Sequence, residues 1–207
     1  MGPPLFAVEP TPTVASRLSI PCQTRLVTGH RWRYAWDYPM ESGLVVAVPE
    51  AEPRVGPVRE RFDAYSRIGV PAHVTVLYPF FEAEALTDEV IGEITEAVSG
   101  IASFDFELAR VASFDDSAYY LAPEPAEPFR TLTTVLWEAF PSFPPFGGKF
   151  DTVIPHMTLG SSDEGASAEL VIGLLGVHLP IRARAKEITL LAEEIDGWIV
   201  RQVFPLR

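Results

Sequence analysis

From residue 41 onward, apolar and polar positions fall into short, well-marked periods. Leu44-Val-Val-Ala-Val48 is an unbroken, mostly β-branched run closed by Pro49, the pattern of a buried strand. Val55, Val58, Phe62, Tyr65 and Ile68 recur at three- and four-residue steps, which predicts one amphipathic helix stopped by Gly69. Pro71 then introduces a strand through His73, and Pro79 ends it. Thr87 before Asp88 and Glu89 marks a helix start, with Val90, Ile91, Ile94, Ala97 and Val98 as its buried face. Phe104, Phe106 and Leu108 alternate, and Asp115-Asp116-Ser117 turns the chain back into Ala118-Tyr-Tyr-Leu121, a hairpin.

The second half repeats this order. Pro128 precedes a helix with the stripe Phe129, Leu132, Val135, Leu136 and Phe140, and a loop rich in Pro and Gly runs from Pro141 to Gly148. A second His-bearing strand follows, then a helix through Leu170, Val171, Leu174 and Leu175. Two strands close the chain, Ile181 to Leu191 around Arg182, Arg184 and Lys186, and Trp198 to Phe204. Helix, His strand, helix, hairpin thus occurs twice. The expected fold is α+β: a bilobal duplicated unit with two antiparallel sheets lining a central cleft and helices on the outer faces. The lobes are expected at roughly 41–122 and 123–207, with strand exchange between them left open.

Residues 1–40 carry no sustained period, and six prolines interrupt them. They are expected to form a flexible N-terminal extension, and a loosely docked tail is favoured over an added strand at Trp32, Tyr34, Trp36 and Tyr38. Met40 stands where globular patterning begins, which leaves open a translation start there.

Charge narrows the partners. The formal net charge is −12, with +2 on residues 1–40 and −14 on the rest. A long nucleic acid is therefore a poor partner, and a nucleotide or short RNA end fits better. No apolar run approaches the roughly 20 residues of a membrane span, so no membrane association is expected. The single cysteine, Cys22, excludes an internal disulfide. The start of the chain lacks a basic segment leading into an apolar run, and the expectation is a cytoplasmic monomer.

The chemistry sits in Pro71-Ala-His-Val-Thr-Val-Leu-Tyr-Pro-Phe80 and, 83 residues on from His73, in Ile154-Pro-His-Met-Thr-Leu-Gly160. On a strand, residues i and i+2 share a face. His73 should stand beside Thr75 and His156 beside Thr158, with Val74, Val76, Met157 and Leu159 on the opposite faces. In-line displacement at a phosphodiester needs a base on the attacking oxygen and an acid on the leaving one, and histidine serves either role near neutrality. A threonine hydroxyl beside each ring can donate to the non-bridging oxygens. No metal or cofactor is called for, and two histidines without clustered carboxylates suit magnesium poorly.

Two His-x-Thr-x motifs on strands of a repeated unit resemble the 2H phosphoesterase superfamily, in its 2'-5' RNA ligase and cyclic phosphodiesterase branch. The likeness covers residues 41–207, and Leu-Tyr-Pro-Phe after the first motif strengthens it. The resemblance implies a bilobal fold with both motifs facing one groove, and metal-independent hydrolysis of 2',3'-cyclic phosphates to 2'-phosphates. In some members it implies the reverse 2'-5' joining of RNA ends. It makes His73 and His156 the acid/base pair and Thr75 and Thr158 the phosphate donors. Gly160-Ser161-Ser162 stands where relatives often carry a basic residue. The alternatives are another cyclic or 2'-5' linked nucleotide as substrate, or a non-catalytic nucleotide- or RNA-binding module.

Other candidates weigh less. Tyr78 and Phe146 are candidates to contact a base, and Lys149 to reach a phosphate. Phe80 and Trp198 read as packing, Arg182 and Arg184 as a solvated face, and His30 and His178 as surface residues without a Thr partner.

Overall fold

The β-branched run after Glu41 becomes β1 (Ser42–Ala47), an internal strand whose residues Ser42 to Val46 are all buried. A computed structural model describes residues 40–176 and 179–207. His30, Cys22, the aromatic cluster Trp32 to Tyr38 and His178 lie outside the described residues. β1 is flanked by β2 (His73–Leu77) and β7 (Glu187–Glu194), and β8 (Gly197–Pro205) completes a sheet of order β2-β1-β7-β8. The second sheet has the order β5-β4-β3-β6, from β3 (Phe104–Phe114), β4 (Ala118–Glu124), β5 (Met157–Ser161) and β6 (Ile181–Ala185). Every pairing is antiparallel. The fold class is α+β, as the periodicity predicts.

Each sheet draws two strands from 41–122 and two from 123–207. The expected single strand from Ile181 to Leu191 is in fact two strands in different sheets. The apolar alternation slips phase between them: Ile181, Ala183 and Ala185 are odd, whereas Ile188, Leu190 and Ala192 are even, with exposed Lys186 and Glu187 at the junction. A phase slip sends the inward face of a flat strand outward, and here the chain resolves it by crossing to the other sheet.

The expected helix from Val55 to Ile68 is also two elements, α1 (Glu52–Phe62) and α2 (Ala64–Arg67). Asp63 between them is extended (φ −129°, ψ 107°), and its carboxylate accepts from the Tyr65 N–H at 3.0 Å. A short polar side chain that caps the next turn competes with helix continuation, so the periodic stripe runs through a break. α3 (Asp88–Val98) starts at Thr87, whose hydroxyl accepts from Val90 N–H. α4 (Glu127–Ala139) buries Phe129, Leu132 and Leu136, and its Thr133 hydroxyl donates to Val76 O at 2.9 Å, tying it to β2. α5 (Ala168–Leu175) buries Val171 and Leu175.

One apolar core joins both sheets. It contains Val74 and Val76 of β2 with Met157 and Leu159 of β5, all 2% exposed or less. Phe80 is buried there too, with its ring 5.0 Å from Phe140 and 5.2 Å from Phe143. Among the described residues no helix is long and apolar enough to cross a membrane.

Candidate functional site

β2 and β5 are each an outer strand of their sheet, and the two are neighbours in space. Along β2, burial alternates as the i, i+2 pattern requires: His73 and Thr75 are half-buried while Val74 and Val76 are sealed in the core. Across the second motif His156 and Thr158 are half-buried between buried Pro155, Met157 and Leu159. Neither threonine hydroxyl is hydrogen-bonded to another described residue, and both stand on the faces of their histidines.

The two histidines are held in the same way. His73 Nδ1 lies 2.8 Å from Pro71 O, and His156 Nδ1 lies 2.7 Å from Ile154 O. A carbonyl only accepts, so each neutral ring carries its proton on Nδ1 and keeps the Nε2 lone pair free. Both bonds reach back two residues, so the repetition in sequence is also a repetition in geometry.

The turn at Pro145–Gly148 connects the motifs. Phe146 N–H donates to Tyr78 O at 2.6 Å, and the Phe146 ring lies 6.2 Å from the His156 ring at an interplanar angle of 23°. Phe146 has φ 53° and ψ 32°, a left-handed conformation that a bulky residue rarely adopts and that local contacts must hold. Phe114 and Tyr120 stand edge-on to His156 at 5.0 and 5.4 Å and stack on each other at 4.3 Å. Sequence reasoning misses these two aromatics. Only the register, which sets Tyr120 opposite Thr158 and Ala112, brings them to the second motif.

Tyr78 is swung to the face of Thr75 by an irregularity in the β1–β2 pairing, where Leu44 meets Leu77 and Val45 meets Thr75. Its ring lies over Gly43, where a Cβ would come within 3.1 Å of Tyr78 Cδ2. Its hydroxyl donates to the Glu41 carboxylate, and its ring is 6.4 Å from Trp198. Burial, then the bond to Glu41, holds the phenol well above its ordinary range. Lys149 is exposed at the end of the Phe146 turn and forms no ion pair among the described residues. Arg182 and Arg184 are engaged elsewhere: Arg182 Nε is 2.8 Å from Glu107 Oε1 and Arg184 Nη1 3.0 Å from Asp105 Oδ1. These pairs line an open cavity of about 600 Å³ beside Glu50 that neither His-x-Thr pair lines.

Electrostatics set both rings neutral. Burial is the main cause that pushes His73 down to about 4, with the nearby Arg59 and His156 charges adding to it and the Pro71 carbonyl and Asp63 opposing. Burial also lowers His156, against the Ile154 carbonyl. For stability, the unfolded ring of His73 titrates near 6.5 and the folded ring near 4. Between those values the unfolded chain binds a proton that the folded chain does not, so stability is full above 6.5 and falls as the pH drops toward 4. Each unit corresponds to about 1.4 kcal/mol, moderated by the edge of the ring that water still reaches. Urea unfolding at pH 7 and pH 4.5 is expected to show a smaller loss in His73→Gln than in the unsubstituted protein.

Residues 47–197 match the family model described as the 2'-5' RNA ligase superfamily. Among curated proteins no sequence matches. Among solved structures, TT0787 of Thermus thermophilus is similar with a TM-score of 0.56 and 19% identity, over 81% of this chain and 98% of that one. E. coli LigT complexed with 3'-AMP is similar with a TM-score of 0.54 and 15% identity, over 82% and 99%. A phosphoesterase structure aligns with a TM-score of 0.51 and 15% identity, over 81% and 99%. At these identities the structures speak for the fold. The family match covers most of the chain and takes in both His-x-Thr strands, so this protein belongs to the 2'-5' RNA ligase superfamily.

Proposed function

We propose that this protein is a metal-independent phosphodiesterase that hydrolyses the 2',3'-cyclic phosphate of a nucleotide or short RNA end to a 2'-phosphate. The observation that carries this reading is the matched pair of Nδ1 hydrogen bonds, which leaves Nε2 free on His73 at the start of β2 and on His156 just before the neighbouring β5. His73 is the base: its strongly lowered basicity keeps it unprotonated at neutral pH. Its Nε2 takes a proton from water as the water oxygen bonds to phosphorus and the bond from phosphorus to O3' breaks. His156 is the acid, protonated once the phosphodiester anion is bound, and its Nε2 proton goes to O3'. The Thr75 and Thr158 hydroxyls donate to the non-bridging oxygens as charge builds on them. Turnover leaves His73 protonated and His156 neutral, and exchange with water restores both.

Tyr78, fixed by Glu41, and Phe146 offer flat faces for the base, with Lys149 at the rim. E. coli LigT, a relative in fold, is seen with 3'-AMP and with ATP, ligands of the size expected here. The acidic body of the chain favours such a small substrate over a polyanion. With a 5'-hydroxyl in place of water, the same displacement of O3' would join RNA ends through a 2'-5' linkage.

The test is phosphorus NMR of the product after incubation with a nucleoside 2',3'-cyclic phosphate in EDTA. A 2'-phosphate is expected. Turnover only on addition of metal, or a 3'-phosphate product, would contradict the reading.

A further inference from the structure

The orientation of His73 depends on the three residues before it, and α1 grips them from both ends. Arg59 Nη2 donates to Val70 O at 3.1 Å, and the Glu52 carboxylate accepts from Ala72 N–H at 2.5 Å. Between them lies Pro71, which has no N–H of its own and whose carbonyl takes the His73 Nδ1 proton. Arg59 is 1% exposed and is fixed through Nε and Nη2, 3.1 and 2.9 Å from Asp63 Oδ2. Its Nη1 has no hydrogen-bond partner among the described residues, and Glu52 Oε1 is 3.8 Å away. A buried ion pair with an unsatisfied donor is a weak source of stability, since apolar residues of similar size often do as well. Its place against the histidine strand gives it another use. Ile154, which holds His156, has no such clamp among the described residues, and it is 45% exposed.

We propose that Arg59, seated by Asp63, and Glu52 are positioning residues for His73: they hold residues 70–72 so that the Pro71 carbonyl fixes the Nδ1–H tautomer and turns Nε2 to the substrate. The inference rests on the reading of His73 as the base, but the tautomer can be measured without turnover. The same helix packs Phe62 against Gly160 on β5, so one element touches both motifs.

The experiment compares the unsubstituted protein with Arg59→Met/Asp63→Asn and with Glu52→Ala. The double variant removes both buried charges, and asparagine keeps an acceptor for Tyr65 N–H. Glu52→Ala changes a side chain that is 40% exposed and carries the test if the double variant fails to fold. Nitrogen-15 spectra of the imidazoles are expected to show His73 losing its dominant Nδ1–H form, with His156 unchanged as the internal control. On a cyclic phosphate, kcat is expected to fall by roughly 10²-fold with KM within about threefold, the signature of misplacement rather than lost binding. An unchanged His73 tautomer in the folded variants would overturn the proposal, as would equal disturbance of both histidines. If the unsubstituted protein turns over no cyclic phosphate, the functional reading fails while the spectra still decide the clamp.

Discussion

Alanine at His73 is expected to lower kcat on a nucleoside 2',3'-cyclic phosphate by about 10²–10⁴-fold, and alanine at His156 by a similar factor. KM should move little, because proton transfer stabilises the transition state and not the bound ground state. The double variant should be far from additive, since loss of either ring stops the same concerted displacement. A substrate whose leaving group needs no proton separates the roles: it should restore much of the rate to His156→Ala and little to His73→Ala. In the unsubstituted protein the acid limb of the pH profile should lie low, because burial carries His73 down to about 4. Loss of His73 should remove that limb. Initial rates in EDTA from acid to mildly alkaline pH measure all of this, and a variant that keeps full rate loses its place in the chemistry.

Alanine at Gly160 is expected to destabilise the fold by about 1–3 kcal/mol, an overpacking cost that lowers Tm by roughly 2–10 °C in a chain of this size. A Cβ at Gly160 would fall 2.4 Å from Phe62 Cβ and 2.8 Å from Phe62 O. The second of these is a backbone atom at the end of α1 and cannot rotate away. Activity should fall with stability, because the displaced helix also carries Arg59 and Glu52. Gly92 is the contrast: it lies inside α3 with nothing within 4 Å of its added Cβ, and alanine there should be neutral or stabilising by up to about 1 kcal/mol. Thermal melts of both variants check the pair, and an undisturbed Gly160→Ala would mean that α1 does not set the spacing of the motifs.

Gly160 opens the stretch Gly160-Ser161-Ser162 after the second motif, and its missing side chain leaves room for the close approach of Phe62. That stretch carries no cation of its own, and Arg182 and Arg184 are already paired with Glu107 and Asp105.

Much of the site is legible in the residues themselves. The His-x-Thr spacing dictates which side chains share a strand face, and burial in the structure follows it position by position. The hairpin turn at Asp115-Asp116-Ser117 and the cap at Thr87 are equally local, since each depends on side chains bonding or bending their own neighbourhood. The break at Asp63 is only half legible. An aspartate inside an apolar stripe is compatible with a helix, and the buried Arg59 that draws its carboxylate inward is evident only after folding.

Local period alone therefore determined most of the strands and helices and the direction each motif faces, because a strand's side-chain alternation is built into its backbone. Tertiary structure decided what surrounds the motifs: Phe114, Tyr120 and Phe146 beside His156, the α1 clamp behind His73, and the two outer strands set next to each other. Those depend on pairings between residues as far apart as Val45 and Thr189, whose free energy comes from burying a shared core and is carried by no single segment.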